Sequence, residues 1–299
     1  MNIVVFGAGA IGSFFGSMLS KNSNVSLIGR KPHINAIKKN GLNIEGKTCL
    51  KVKINAVTSV NDVSFFPDLL ILTVKSYDTE SAIIQAKKII KEKTFVLSLQ
   101  NGLDNIDILK KHLSLDQIIV GITTHGVLFD KPGFIRHTGT GTTILGEING
   151  KKTKKIIDIV NAFNNAGIST SFSNNIIEEI WNKVIVNSSI NPLTTFFQCK
   201  NGNLIKNPVL EKLVERICNE STSIAKANGI QLSSINMIDK TKEVIRNTSE
   251  NNSSMLQDFN KGKKTEIDSI NGRLIEIGRK FNIDVSFNEI LVHSIKTLK

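Results

Sequence analysis

Cysteine is scarce in this sequence. Its 299 residues hold three, Cys49, Cys199 and Cys218. They are far apart, odd in number and form no CxxC pair. That excludes a disulfide scaffold and a cysteine-based zinc site, no metal is expected, and a reducing, cytoplasmic setting is. Tryptophan and tyrosine are also scarce, with one of each. The lysines are scattered, and no recognised nucleic-acid-binding motif occurs. A nucleic-acid-binding protein is therefore not expected. Long apolar runs are missing beyond the first twenty residues. Those twenty, MNIVVFGAGAIGSFFGSMLS, carry no charged side chain. They lack the basic start of a signal peptide, and Gly7, Gly9, Gly12 and Gly16 interrupt them. Neither export nor a membrane span is expected. Internal repeats and low-complexity tails are absent as well.

What is present is ordinary globular composition, 40% hydrophobic and 21% charged, enough to bury a sizeable core. Lys and Arg number 38 against 26 Asp and Glu, a formal net charge of +12. Such a charge favours anionic partners, among them small phosphates and carboxylates. The lysine clusters 151–155 and 261–264 read as solvated surface.

The first half alternates strand and helix patterns. Asn2–Phe6 is a β-branched run, followed by a glycine turn and an apolar helix to about Ser20. Val25–Ile28, Asp68–Val74 and Thr94–Leu99 read as strands, and Ser81–Lys91 as a helix. Fully apolar strands such as DLLILTV suit a parallel sheet covered on both faces. Short strands at 118–122, 126–129, 133–137 and 143–145 predict an antiparallel extension. A helix at 151–165 and a strand at 169–172 follow. From about Asn174 helical periodicity dominates, with helices expected at 176–197, 208–228, 234–247 and 265–281. The fold class is thus an α/β doubly wound domain, residues 1–173, followed by an all-α domain, residues 174–299.

Gly7-Ala8-Gly9-Ala10-Ile11-Gly12 is a GxGxxG directly after a strand and at a helix start. In that context the first glycine makes a tight turn, the second lets a pyrophosphate approach closely, and the third allows close helix packing. The helix N-terminus offers its N–H groups to phosphate. The second strand ends Leu27-Ile28-Gly29-Arg30-Lys31 with no acid to bind a ribose hydroxyl. Arg30 can instead pair with a 2′-phosphate, so NADP(H) is the expected cofactor. Ordinary surface charge is the bland alternative for Arg30 and Lys31. Lys75 and Gln100-Asn101-Gly102 end two further strands and face the crevice where such folds bind ligands. Val127 is a further expected cofactor contact.

In the second half, Lys183, Asn187 and Asn191 are spaced i, i+4, i+8 among apolar neighbours. They share one helix face over about 12 Å. A lysine that donates a proton or clamps an anion, with two amides for hydroxyls, is the functional reading; one wet face is the other. Ser254 and Glu266 would lie roughly 18 Å apart in one straight helix. Gly262 suggests a break that lets both reach one site. Thr265-x-x-Asp268 is a weak capping signal there. Taken alone, Glu266 reads as a solvated first-turn carboxylate.

These residues, in order, carry a resemblance to the ketopantoate reductase (2-dehydropantoate 2-reductase) family. They are GxGxxG, Val74-Lys75, Gln100–Gly102, WNKVIVNSSINPLT at 181–194, Asn201-Gly202, and SSMLQD with TEID at 253–268. The resemblance implies an N-terminal Rossmann-type domain. It also implies a helical C-terminal domain like that of 6-phosphogluconate dehydrogenase, with the active site in the cleft between. It implies Lys183 as proton donor and Glu266 at the cofactor–substrate junction. Gly7–Gly12, Arg30, Lys75 and Asn101 become cofactor contacts. Asn101, Asn187, Asn191, Asn201 and Ser254 become substrate contacts. The implied reaction is NADPH-dependent reduction of ketopantoate to pantoate in pantothenate synthesis. Another branched 2-keto acid is the alternative, and a homodimer is compatible. An ordinary lysine, with pKa about 10.4, suits the acid's role without a large shift.

Overall fold

Asn2–Phe6 forms strand β1 with its last four residues buried, as the Ile-Val-Val-Phe run requires of a strand covered on both faces. The computed structural model describes residues 1–232 and 236–298. The chain forms two compact units, Met1–Gln100 with Asn105–Ile176, and Asn101–Asp104 with Ile177–Lys299.

In the first unit β1 is flanked by β2 (Asn24–Ile28) and, across the other edge, by the strand Leu69–Leu72, parallel to both. Between them in sequence come β3 (Leu42–Gly46), β4 (Leu50–Val52) and β5 (Asn55–Val57), so Leu69–Leu72 is β6. There follow β7 (Phe95–Ser98), β8 (Ile118–Thr123), β9 (Gly126–Lys131), β10 (Phe134–Gly139), β11 (Thr143–Glu147) and β12 (Thr170–Phe172). Eight of them form one sheet in the order β12-β11-β8-β7-β6-β1-β2-β5. It is parallel from β5 to β8, and β11 runs antiparallel to β8. The strand order reverses between β1 and β6. That is the switch point where loops at the carboxyl ends diverge and open a crevice.

The antiparallel extension expected over 118–146 needs correction. Only β8 and β11 stay in the main sheet. The hairpin β9–β10 joins a second sheet of order β4-β3-β10-β9, in which β10 lies parallel to β3. The short strands β3, β4 and β5 were not expected, because three to five residues carry little periodic signal. Long-range pairing creates them: the Asn43 N–H donates to the Gly133 carbonyl at 2.9 Å.

The helix Ala10–Leu19 packs on strands of both sheets, and every residue from Gly12 to Leu19 is buried. A helix covered all round has nowhere to put a charge. That is the physical reason the first twenty residues carry none. The helix expected at 81–91 is shorter and earlier, Thr79–Ala86.

The second unit is helical: Ile176–Phe196, Asn203–Lys206, Pro208–Ala227, Met237–Asn247, Ser254–Asn260, Arg273–Lys280 and Ser286–Thr297. Ser234, where one helix was expected to start, lies outside the described residues. That helix begins at Met237, and Asn236 caps it by accepting the Ile238 N–H at 3.0 Å. The helix expected at 265–281 is present over 267–280, with a π turn, Asp268–Gly272, leading into Arg273–Lys280. At its start the Ile270 N–H donates to the Glu266 carbonyl at 3.1 Å, an α-type bond over four residues. Thr265 is therefore not its cap. Ser286–Thr297 was not expected. No helix among the described residues is long and apolar enough to cross a membrane.

Candidate active site

The three glycines of the first loop do different things. Gly7 has φ +115°, and a Cβ there would stand 2.5 Å from the Val74 nitrogen. A Cβ on Gly12 would stand 2.2 Å from the Gly7 oxygen and 2.4 Å from Thr73 Oγ1. Both positions are closed by the protein itself. Gly9 is open: the nearest atom to a built Cβ is 4.0 Å away, and the residue is exposed. Gly9 precedes the helix without a side-chain cap, and its carbonyl takes the first helical bond, from Ser13. The N–H groups of Ala10, Ile11 and Gly12 fall in the first turn, which has no intrahelical acceptors for them. An uncapped helix start with no acid in its first turn and a glycine with free space above it fit a diphosphate.

Thr73 holds this loop from β6, donating to the Gly7 carbonyl at 2.8 Å. Gln100 ties the ends of β6 and β7 together. Its Nε2 donates to the Val74 carbonyl at 2.9 Å and to Thr79 Oγ1 at 2.7 Å. Neither role is visible in the sequence, since no local pattern links residue 73 to residue 7. Lys75 is half-buried just beyond β6. Arg30 is exposed at the start of the helix Lys31–Asn40, beyond β2. Val127 lies on β9, partly buried against the core.

In the second unit Lys183, Asn187 and Asn191 lie along the helix Ile176–Phe196. Lys183 and Asn187 are half-buried and Asn191 is buried. Burial lowers the Lys183 pKa to about 8, and the negative charge of Glu266 opposes that shift. The expectation of an ordinary lysine is thus corrected: desolvation disfavours the ammonium form. The solvated reading of Glu266 also fails, since Glu266 is only 6% exposed. Asn101 joins it, its Nδ2 donating to Glu266 Oε2 at 3.3 Å. Gly102, with φ +93°, lets Asn101 approach: a Cβ there would lie 2.8 Å from the Ser269 carbonyl oxygen.

The helix Ser254–Asn260 ends at Lys261-Gly262, and Gly262 has φ +64°. This is the break the sequence suggested. Ser254 is exposed on the first turn of that helix. Ser253 caps it, accepting the Leu256 N–H at 3.2 Å. Asn201 donates to Thr248 Oγ1 at 2.9 Å, while its buried Oδ1 has no hydrogen-bond partner among the described residues. Among the described residues no group of three His, Cys, Asp or Glu side chains could hold a metal ion.

Lys183, Glu266 and Asn101 thus come together as an ammonium, a carboxylate and an amide, with further amides along the same helix. A cation beside hydrogen-bonding amides can hold an anion and give a proton to a nascent alkoxide.

Known proteins are similar to this chain over nearly its full length. The family model "Ketopantoate reductase PanE/ApbA" matches residues 3–150, and "Ketopantoate reductase PanE/ApbA C terminal" matches residues 175–299. The chain is 41% identical over 297 residues to the 2-dehydropantoate 2-reductase of Pyrococcus abyssi, covering 99% of this chain and 97% of that one. It is similar to the crystal structure of a PanE/ApbA family ketopantoate reductase from Ralstonia eutropha JMP134, with TM-score 0.92 and 29% identity, covering 99% and 98%. A ternary structure of D-mandelate dehydrogenase with NADH and anilino(oxo)acetate is equally similar, with TM-score 0.92, 29% identity and the same coverage.

Proposed function

The chain belongs to the ketopantoate reductase family of nicotinamide-dependent oxidoreductases, and on that premise we propose that it reduces 2-dehydropantoate to (R)-pantoate with NADPH. The observation that carries this reading is the meeting of Lys183, Glu266 and Asn101 beside the Asn187–Asn191 helix face.

In this reading residues 1–173 bind the cofactor. The Gly9 opening and the first helical turn take the diphosphate. Arg30, at the end of β2 where no acid stands, takes the 2′-phosphate, and Lys75 takes a further oxygen. When bound, the nicotinamide supplies hydride to the C2 carbonyl carbon. The chain's own residues do the rest, from 174–299 and from Asn101. Lys183 bonds the carbonyl oxygen, stabilises the negative charge that grows there and delivers the proton. Glu266 keeps Lys183 protonated by lying close to it, offsetting part of the desolvation. Asn187, Asn191 and Asn201 offer amides to the substrate's hydroxyl and carbonyl, and Ser254 offers its hydroxyl and helix N-terminus to the carboxylate.

The likeness to D-mandelate dehydrogenase, a structure holding NADH, favours a second reading: another 2-keto acid on the same machinery, with NADH. The two are separated by following cofactor oxidation by the purified protein with ketopantoate and with other branched and aromatic 2-keto acids, each with NADPH and NADH. Turnover confined to ketopantoate and NADPH is the expected outcome. Faster turnover of an aromatic keto acid, or preference for NADH, replaces it with the second reading.

A further inference from the structure

Pro192 stands inside the helix Ile176–Phe196. Proline has no N–H, so the carbonyl four residues earlier loses its helical donor. That carbonyl belongs to Ser188, which is fully buried, where an unmatched polar group is costly. The structure supplies a donor from elsewhere in the chain: Asn271 Nδ2 lies 3.1 Å from the Ser188 oxygen. Asn271 is itself fully buried, and it also donates to Asn288 Oδ1 at 2.8 Å.

The direction of these bonds is forced. Asn288 Nδ2 donates to Glu220 Oε1 at 2.7 Å, and the backbone N–H groups of Phe287 and Asn288 donate to the same carboxylate at 2.9 Å each. A carboxylate only accepts, so Asn288 must turn its oxygen toward Asn271. Asn271 then meets two acceptors and must present its NH₂ to both. No other side chain of that size carries two such donors without a charge.

The placement ties two parts of the candidate site. Asn271 lies in the π turn Asp268–Gly272, just beyond Glu266. Ser188 follows Asn187 on the helix that carries Lys183. We propose that Asn271 is a positioning residue. By filling the hydrogen-bond place that Pro192 vacates, it fastens the π turn that follows Glu266 to the helix carrying Lys183 and Asn187, and holds them in register. This rests on the reading of Lys183 as proton donor with Glu266 in support.

The test is a cycle of four proteins: the unaltered chain, Asn271→Ala, Pro192→Ala and the double variant. Alanine at 192 returns an N–H to the Ser188 carbonyl. Asn271→Ala is expected to lower kcat for the keto acid about ten- to a hundredfold, as a small misplacement of reacting groups does. NADPH affinity, read by fluorescence titration, is expected to stay unchanged. The alkaline limb of kcat should move to lower pH, because Lys183 loses support from Glu266. That shift is something a merely structural role would not produce. The double variant should keep the kcat and pH limb of Asn271→Ala, because the restored helical N–H pairs the Ser188 carbonyl without refastening the turn. The thermal midpoints of the four cofactor-free proteins should be non-additive, the double variant losing less than the two single losses together, because its Ser188 carbonyl is paired again. An Asn271→Ala protein with unaltered kcat and pH profile overturns the proposal, and so do additive thermal midpoints or a double variant that regains kcat. If Asn271→Ala does not fold, Asn271→Ser, which keeps one donor, takes its place in the cycle. If the unaltered chain reduces no keto acid, the proposed function fails by itself. The thermal cycle then still decides the Pro192–Ser188–Asn271 coupling.

Discussion

Lys183 shows how a single side chain acquires its chemistry from its surroundings. Burial lowers its pKa to about 8, and Glu266 raises it against that trend. A proton donor must be protonated to work, so the sign is fixed: kcat/KM for keto-acid reduction should fall as pH rises through about 8. A pH–rate profile that stays flat to pH 9.5 would exclude Lys183 as the acid. Lys183→Ala should lose about 10²–10⁴ in turnover, the usual worth of one general acid, with cofactor binding retained in a titration. The glycines make a second contrast at this scale. Gly9→Ala adds a methyl where the protein has no atom within 4.0 Å. It should fold normally and weaken NADPH binding, because that space is where the diphosphate would come. Gly12→Ala adds the same methyl 2.2 Å from the Gly7 oxygen. It should lower the thermal midpoint whether or not cofactor is present. If the two variants behave alike, the division of labour between these glycines is wrong.

Elements owe their form to what covers them. The first helix lies between two sheets, and three imidazoles lie against it: His33 from the helix Lys31–Asn40, His125 from just before β9, and His137 from β10. His33 lies 3.0 Å from Ser13 Oγ and accepts the Gly133 N–H at 2.9 Å. His125 and His137 lie 3.2 Å apart, each within 5.0 Å of the Phe14 ring centre. Burial lowers His33 to about 4, and burial with the nearby His137 lowers His125 to about 4. His137 is lowered too, by burial against the opposing pull of the Gly139 carbonyl. Between pH 6.5 and 4 the unfolded chain therefore binds more protons than the folded one, so stability rises with pH in that window. Full stability is present above pH 6.5 and is lost as pH falls toward 4, by about 3 kcal/mol for each fully shifted histidine. Thermal midpoints measured across this range should drop, and His33→Gln should flatten the drop. A midpoint independent of pH between 4 and 6.5 would contradict the neutral, buried imidazoles.

At the scale of the whole molecule, the net charge of +12 would act on both anionic ligands of the proposed reaction. Stopped-flow association of NADPH should slow several-fold between low and physiological salt, by screening over about 8–10 Å. Dissociation should change less, and an association rate indifferent to salt would remove any steering role for the excess lysine. Much of the molecule was legible in its residues alone. The strand–glycine–helix start, the apolar parallel strands and the change to helical periodicity near residue 174 are local patterns, repeated every two or 3.6 residues, and they specify the fold class without any contact being known. The Lys183–Asn187–Asn191 face was legible for the same reason, because helix spacing converts sequence distance into a shared side. The rest depends on pairs far apart in the chain. The second sheet exists because β3 meets β10 across about ninety positions, and no short strand announces its partner. Glu266 read as a solvated carboxylate until the fold buried it beside Asn101, and Lys183 read as ordinary until its surroundings excluded water. The proline in a helix was plain in the sequence; which side chain would satisfy the carbonyl it orphans was not. Periodicity and glycine chemistry are properties of neighbours along the chain. Desolvation, charge proximity and the choice of hydrogen-bond partner are properties of neighbours in space, and only the tertiary structure decides who those are.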